Sequence, residues 1–403
     1  MNKDRRLDSN QVDVSKLTFE QLGNIRKHLS ALIKQGGSDL HVKANSVIRM
    51  RDENGNIKQF SGKILSKENA MTFAKELLKG DFAEFVENKE MDLVYPFDER
   101  NRFRVNIFFQ MEGVSAVFRL IPVEIPTFEQ FNLPDVLRTF TTIKNGLVLV
   151  TGATGSGKST TLASIIDEIN RTQQKHIITI EEPVEFVHKD RKCLINHRSV
   201  GRDTLSFSSA LKAALREDPD IILVGEIRDA QSVQLALHAA DTGHLVFSTL
   251  HSIDAKDTVN RLMAMFPTNE QNRIRNSLSS VLQGIVSQRL IPAKSGKGKV
   301  SAMEIMVRTS QITKLIKENR DEEIKDAIEK GSDHYRSQSF DQSILKLYLD
   351  GKITREEAKR SASSPADMEL RISGIASGET SKETKTGSGI GVGKRDDIFE
   401  LKD

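Results

Sequence analysis

One cysteine, Cys193, stands in 403 residues, and tryptophan is absent. A single thiol excludes an internal disulfide framework and any zinc site built on several thiolates. Aromatics are scarce at 5%, and no stretch interleaves them with basic residues as a nucleic-acid groove requires. The 59 basic and 56 acidic side chains leave a net charge of only +3, too little to favour a phosphate backbone. No apolar run approaches bilayer length. The opening MNKDRRLDSN has no apolar segment behind it, so it does not read as a secretory signal. What remains is a chain of cytosolic character, 37% hydrophobic, with room for two or three cored domains.

What is present begins with Gly152, Ala153, Thr154, Gly155, Ser156, Gly157, Lys158 and Ser159, which fit the phosphate-loop pattern GxxxxGK[ST], with Thr160 following. The apolar run 146–150 precedes it and a helix-compatible stretch, 160–170, follows. Strand, glycine loop and helix start in that order make an anion cradle, because backbone N–H groups and the helix N-terminus point at one place. Lys158 is expected to reach the terminal phosphates as a mobile point charge, and Ser159 to bind Mg²⁺.

Upstream, Thr18 and Gln21 have capping-box spacing, and Leu22, Ile25, Leu29 and Ile33 recur at helical spacing. Short strands are expected at 39–42, 47–50, 57–60, 91–95, 102–109 and 114–120, with a helix over 67–78. This is a small α+β domain over 18–121, after a flexible 1–17. Pro122 and Pro126 stiffen the start of the linker 122–136. Beyond it, strands at 146–150, 176–180, 221–224 and 245–249 alternate with helices at 206–217 and 230–240, the pattern of a parallel sheet covered on both faces. Helices are further expected over 270–288, 309–329 and 340–349. The second domain covers 137–375, and 376–403, rich in Gly, Ser, Thr and Lys, is expected to be disordered.

Several side chains fall where ligands bind in open α/β folds, at the carboxyl ends of strands. Glu226 ends the run 221–224 and can orient water or hold Mg²⁺. Arg228 and Asp229 behind it read equally well as an ordinary surface pair. Glu181 and Glu182 are adjacent, so in extended chain they face opposite ways, and Glu181 is favoured for the nucleotide; Glu185 reads as a surface acid. His251 ends the fourth strand and can meet the γ-phosphate through a ring N–H, with Thr249 assisting. The other histidines, among them His176, His188, His197 and His238, have no metal-ligand spacing. Arg100, Arg102, Arg104 and Arg119 cluster in the first domain, and Arg102 and Arg104 share a strand face suited to clamping phosphate.

Taken together, residues 152–160, the acidic box 179–186 running into 200–207, the strand ending at Glu226 and the histidine box 242–251 resemble the secretion-type ring ATPases, closest to their pilus-retraction branch. Residues 37–41 also look like that family's opening segment. The resemblance implies a RecA-like P-loop ATPase core with an N-terminal α+β PAS-like domain, and a homohexamer that binds ATP and Mg²⁺ between the two domains. It further implies that Glu226 is the catalytic glutamate, Glu181 supports magnesium and water, and His251 contacts the terminal phosphate. Arg102, Arg104 and Arg119 would include the phosphate-contacting arginines. The implied partners are an inner-membrane pilus platform protein and a paralogous retraction ATPase, not nucleic acid; the implied place is the cytoplasm, peripheral to that machinery. Glu182 stands where the family usually has Asp, Ser252-Ile253 replace Thr or Ala and then Asn, and 311–317 replaces an Ala-Ile-Arg segment. These departures fit an accessory or paralogous motor. Pilus-assembly and type II secretion ATPases are the nearest alternative, but usually carry a four-cysteine zinc insertion that one cysteine cannot build. A nucleic-acid motor and a catalytically dead ring are the remaining readings; Lys158, Ser159 and Glu226 argue against the latter.

Overall fold

The computed structural model describes residues 21–382, apart from 53–54, 99–100, 123 and 297. Its first sheet holds β1 (Asp39–Lys43), β2 (Ser46–Arg51), β3 (Ile57–Leu65), β4 (Glu90–Pro96), β5 (Asn101–Gln110) and β6 (Gly113–Pro122) in the order β3-β2-β1-β6-β5-β4, each pair antiparallel. Alternation along β5 sets its two faces. Phe103, Val105 and Ile107 are fully buried, while Arg102, Arg104 and Asn106 turn the other way. Helices Gln21–Lys34 and Lys67–Leu78 supply Ile25, Leu29, Leu32 and Phe73 to the apolar face. That leaves the arginine face open. The helix over 67–78 has the expected bounds: the Ser66 hydroxyl accepts the Asn69 N–H at 3.2 Å, and Lys79, at positive φ, ends it.

The second sheet contains β7 (Gly146–Thr151), β8 (His176–Glu181), β9 (Leu194–Ser199), β10 (Ile221–Val224), β11 (Leu245–Leu250), β12 (Leu282–Pro292) and β13 (Lys299–Val307), ordered β13-β12-β7-β11-β10-β8-β9. Every pair is parallel except β12–β13. All residues of β7, β10 and β11 are buried, because helices cover both faces. In register, Thr151 lies beside Leu250, and Val224 beside Ile180, so the strands end along one rim. Phe128, Leu133 and Val136 of the expected linker are buried against the helix Lys158–Thr172, so much of this segment belongs to the second core.

Three expected helices are revised. The helix of 270–288 is Thr268–Val281 and then turns into β12, which fills the slot beside β7. Gly284 permits this: a Cβ there would lie 2.4 Å from the Phe140 ring. The helix of 309–329 breaks into Ser310–Lys317 and Ile324–Lys330, with Asn319 left-handed between them and Asp321 bonded to the buried Arg275 (Oδ2–Nη2 2.7 Å). A buried ion pair drew the chain there, overriding helical periodicity. Helix Pro365–Lys382 runs past residue 376, where disorder was expected. Residues 383–403 of that tail, residues 1–17 that were expected to be flexible, Thr18 and Arg100 lie outside the described residues. Among the described residues no helix is long and apolar enough to cross a membrane.

Candidate nucleotide-binding site

Between β7 and the helix Lys158–Thr172, Gly152, Gly155 and Gly157 all take positive φ. At Gly152 a side chain is doubly excluded, since a Cβ would sit 2.4 Å from the Gln288 carbonyl oxygen. The Lys158 ammonium is buried and donates to the carbonyls of Gly152 (2.9 Å) and Ala153 (3.0 Å). Burial holds its pKa below the ordinary lysine value, opposed by the charges of Glu226 and Glu185. The buried Ser156 hydroxyl has no partner, and no side chain caps the helix N-terminus. A polyphosphate fits these groups: it supplies acceptors for an orphaned hydroxyl and for a lysine that has only loop carbonyls. Ala153, Thr154, Gly155 and Ser159 are exposed at its mouth, with Thr160 half-buried. Among the described residues no group of three His, Cys, Asp or Glu side chains could hold a metal by itself. The Ser159 hydroxyl fits magnesium that takes most of its oxygens from substrate phosphate and water.

Along the rim from this loop, Glu226 follows β10. Its Oε2 accepts from Arg228 Nε at 2.8 Å and its Oε1 lies 3.3 Å from His251 Nε2. Arg228 Nη1 also donates to Glu182 Oε2 at 2.7 Å. A polar chain thus joins Glu182, Arg228, Glu226 and His251. Arg228 and Asp229 are not the surface pair they resemble in sequence: Asp229 accepts the Ser232 N–H at 2.7 Å and caps the helix Ala230–Asp241. Thr249 Oγ1 donates to the Gly225 carbonyl at 2.6 Å, tying the ends of β10 and β11 together rather than facing the loop alone.

Glu181 ends β8, three strands from β7 and therefore about 14 Å across the sheet. Burial raises its pKa to about 7, against hydrogen bonds from Thr179 and the Glu185 N–H, with the Glu185 charge adding to the rise. Glu185, which reads as a surface acid, is half-buried and is the acidic-box carboxylate whose field reaches Lys158. Sequence spacing held no signal for this, because it depends on how the chain folds back after Pro183.

A family model described as type II/IV secretion system protein matches residues 20–360. The chain belongs to that family. It is 43% identical to the Pseudomonas aeruginosa type IV pilus retraction ATPase PilT over 86% of this chain and 100% of PilT. The twitching motility protein of Neisseria gonorrhoeae is 44% identical, with 70% of this chain and 76% of that protein covered. A crystal structure of the pilus retraction motor PilT with bound ADP aligns with a TM-score of 0.78 at 42% identity, covering 86% of this chain and 99% of that one. This secretion-ATPase fold is the α/β arrangement that the resemblance implied.

In this type II/IV secretion family member the first-domain arginines differ in what they touch. Arg119 Nε donates to Asp39 Oδ1 at 2.8 Å, and Arg104 lies 3.9 Å from Asp92. Arg104 and Arg119 stand opposite one another in the β5–β6 register. Arg102 forms no ion pair among the described residues, and its charge reaches His197 on β9. So Arg102 is the member of the set that is both uncommitted and near the acidic box.

Glu304 on β13 was not singled out by sequence. Its buried Oε1 accepts the Ala255 N–H at 2.9 Å, fixing the start of the helix Ala255–Ala264 just after the His251 loop. Burial raises its pKa to about 7, with Asp254 adding to the rise and the Ala255 bond, Arg289 and Lys325 opposing it. A free glutamate titrates at about 4.3, so between these values the folded chain holds the extra proton and stability falls as pH rises, levelling above about 7. Glu304→Gln removes that slope and keeps an acceptor for Ala255. In urea unfolding its advantage over wild type is expected to be larger at pH 8 than at pH 5 by about 2–3 kcal/mol. The same difference at both pH values would reject the assignment.

Proposed function

We propose that the chain is an ATP-hydrolysing motor that retracts type IV pili. One observation carries this reading: a phosphate loop with its lysine intact, and a glutamate held by Arg228 and His251 on the same rim, in a chain that matches PilT from end to end. Glycine N–H groups and Lys158 bind the phosphates of ATP, and Ser159 holds magnesium with Glu181 and Glu226 in support through water. Magnesium, when bound, neutralises phosphate charge. Glu226 takes the proton of the attacking water, and Arg228 keeps its carboxylate oriented. His251 contacts the terminal phosphate. Arg102, with Arg104 and Arg119 on the same sheet face, meets the nucleotide from the first domain, so loss of the γ-phosphate loosens the hold between domains. In a homohexamer that motion is passed to an inner-membrane platform protein, from the cytoplasmic side.

Retraction is favoured over secretion or assembly by coverage. The type II secretion protein E of Xanthomonas campestris is matched over only 34% of its length. An accessory motor is the second reading, favoured by the altered segment 311–317. Deleting the gene and imaging fibres live tests the proposal, with a Glu226→Gln copy as complement. Fibres that extend and never shorten are the expected result. Absent fibres would overturn it in favour of assembly. Restoration of shortening only when a second retraction ATPase is also present would mark the accessory role.

A further inference from the structure

At the end of the second sheet away from the phosphate loop, β13 stops at Val307 and the helix Ser310–Lys317 begins. The Arg308 N–H donates to the Gln283 carbonyl at 2.9 Å, and Gln283 Nε2 to the Asn145 carbonyl at 3.1 Å. Gln283 stands near the start of β12 and Asn145 just before β7, so this region lies at the amino ends of both strands. A groove of about 930 Å³ opens here, between the helix Ser310–Lys317, Asn276 and Tyr335. Ile312, Leu315 and Ile316 turn into the core, which leaves Ser310, Thr313, Lys314 and Lys317 to line the groove from the helix's other side. Its charge is unbalanced. Arg308 and Lys317 form no ion pair among the described residues. The groove's one acid, Glu318, is already shared between Arg320 (3.1 Å) and Lys314 (3.9 Å). Tyr335, 53% exposed, adds an aromatic ring.

The chain carries a segment of matching chemistry. Residues 396–403 read Asp-Asp-Ile-Phe-Glu-Leu-Lys-Asp: four acids, one lysine and three large apolar side chains. The other terminal stretches outside the described residues do not match. Residues 1–20 hold four basic and four acidic side chains, and 383–395 have a basic excess. Reach is sufficient. The helix Pro365–Lys382 passes the helix Ile324–Lys330, with Arg371 Nη2 3.9 Å from Glu329 Oε2, and Tyr335 lies six residues beyond Glu329. From Arg371 the helix runs on to Lys382 for about 16 Å. The thirteen residues 383–395 then span up to about 45 Å. A tether this short holds its end at about millimolar local concentration, so contacts of surface strength are enough to seat it. We infer that residues 396–403 dock in this groove of their own chain, with the acids on Arg308, Lys314 and Lys317 and Phe399 against Tyr335. The groove faces away from the phosphate loop, so docking covers a surface of the second domain without entering the chemistry.

The test uses the full chain with photoreactive benzoylphenylalanine in place of Phe399. Illumination is expected to give a crosslink at Tyr335 or within 308–318, mapped by peptide mass, in a product of single-chain mass on a denaturing gel. High salt is expected to lower the yield, because exposed charges are screened. Arg308→Glu with Lys317→Glu is expected to lower it about tenfold, since two attractions become repulsions. Adding Asp396→Lys and Asp397→Lys to that pair exchanges the charges and is expected to recover most of the yield, which a merely damaged surface would not allow. Arg308→Gln with Lys317→Gln reads the same contact should the reversed pair fail to fold, with circular dichroism as the check on folding. Crosslinks that map elsewhere overturn the inference, as does a yield that neither charge pair alters. A product of twice the chain mass, crosslinked at the same groove, also overturns it and makes a second copy's tail the occupant.

Discussion

Glu226→Gln is expected to lower turnover by about 10²–10⁴-fold while nucleotide affinity stays within a few-fold of wild type. The substitution preserves length and one carbonyl oxygen, so the side chain can still accept from Arg228, now 2.8 Å from Oε2. What is lost is the negative charge and the ability to take a proton from water. Arg228 remains anchored by Glu182 at 2.7 Å, which limits rearrangement of the rim. In the proposed mechanism binding depends on groups elsewhere, the glycine N–H donors and Lys158, so it is not expected to change strongly. Steady-state phosphate release and equilibrium binding of a labelled nucleotide separate the two effects. Turnover above a tenth of wild type would remove Glu226 as the proton acceptor. A parallel loss of affinity would instead mean that the carboxylate holds magnesium directly.

The parts of this site that were legible in the sequence are those whose geometry is local. Eight consecutive residues define the phosphate loop, because glycine at 152 and 157 is needed by backbone conformation alone. Strands β7, β10 and β11 were legible because burial on both faces gives them apolar runs, Leu147–Val150, Ile221–Val224 and Leu245–Phe247. β9 was not: Leu194–Ser199 mixes Asn, His, Arg and Ser at an edge, and only its pairing with β8 makes it a strand. β12 carries Gln283, Ser287, Gln288 and Arg289 among its apolar residues and follows a helix without a break, so helical periodicity swallowed it. The partners of charged residues were least legible. Arg228 next to Asp229 looks like a local pair, yet its guanidinium reaches Glu226 and Glu182, the latter 46 residues away. Glu181 is legible as a strand-end acid, while its depth, and the nearer approach of Glu185 to the Lys158 charge, follow from a fold-back that no residue pattern encodes.

Lys158→Ala is expected to weaken nucleotide binding about 10- to 100-fold, the worth of one charge-assisted hydrogen bond. Turnover at saturating nucleotide should fall further, by about 10²–10³-fold, since the ammonium also meets charge that grows on the leaving group. The ammonium is buried and bonded to two loop carbonyls, and burial already disfavours its charge. The folded state therefore gains little from this lysine, and the variant is expected to melt no lower than wild type without nucleotide. That contrast separates the defect from misfolding: stability kept, affinity and turnover lost. Lys158→Arg should not rescue turnover, because a planar guanidinium is broader than an ammonium and the position is already closed by the loop carbonyls. Binding titrations, phosphate release and thermal melts on both variants give the three readouts. Wild-type affinity in Lys158→Ala would mean that phosphate is held by backbone N–H groups alone, and the charge at this position would then belong to the fold and not to the substrate.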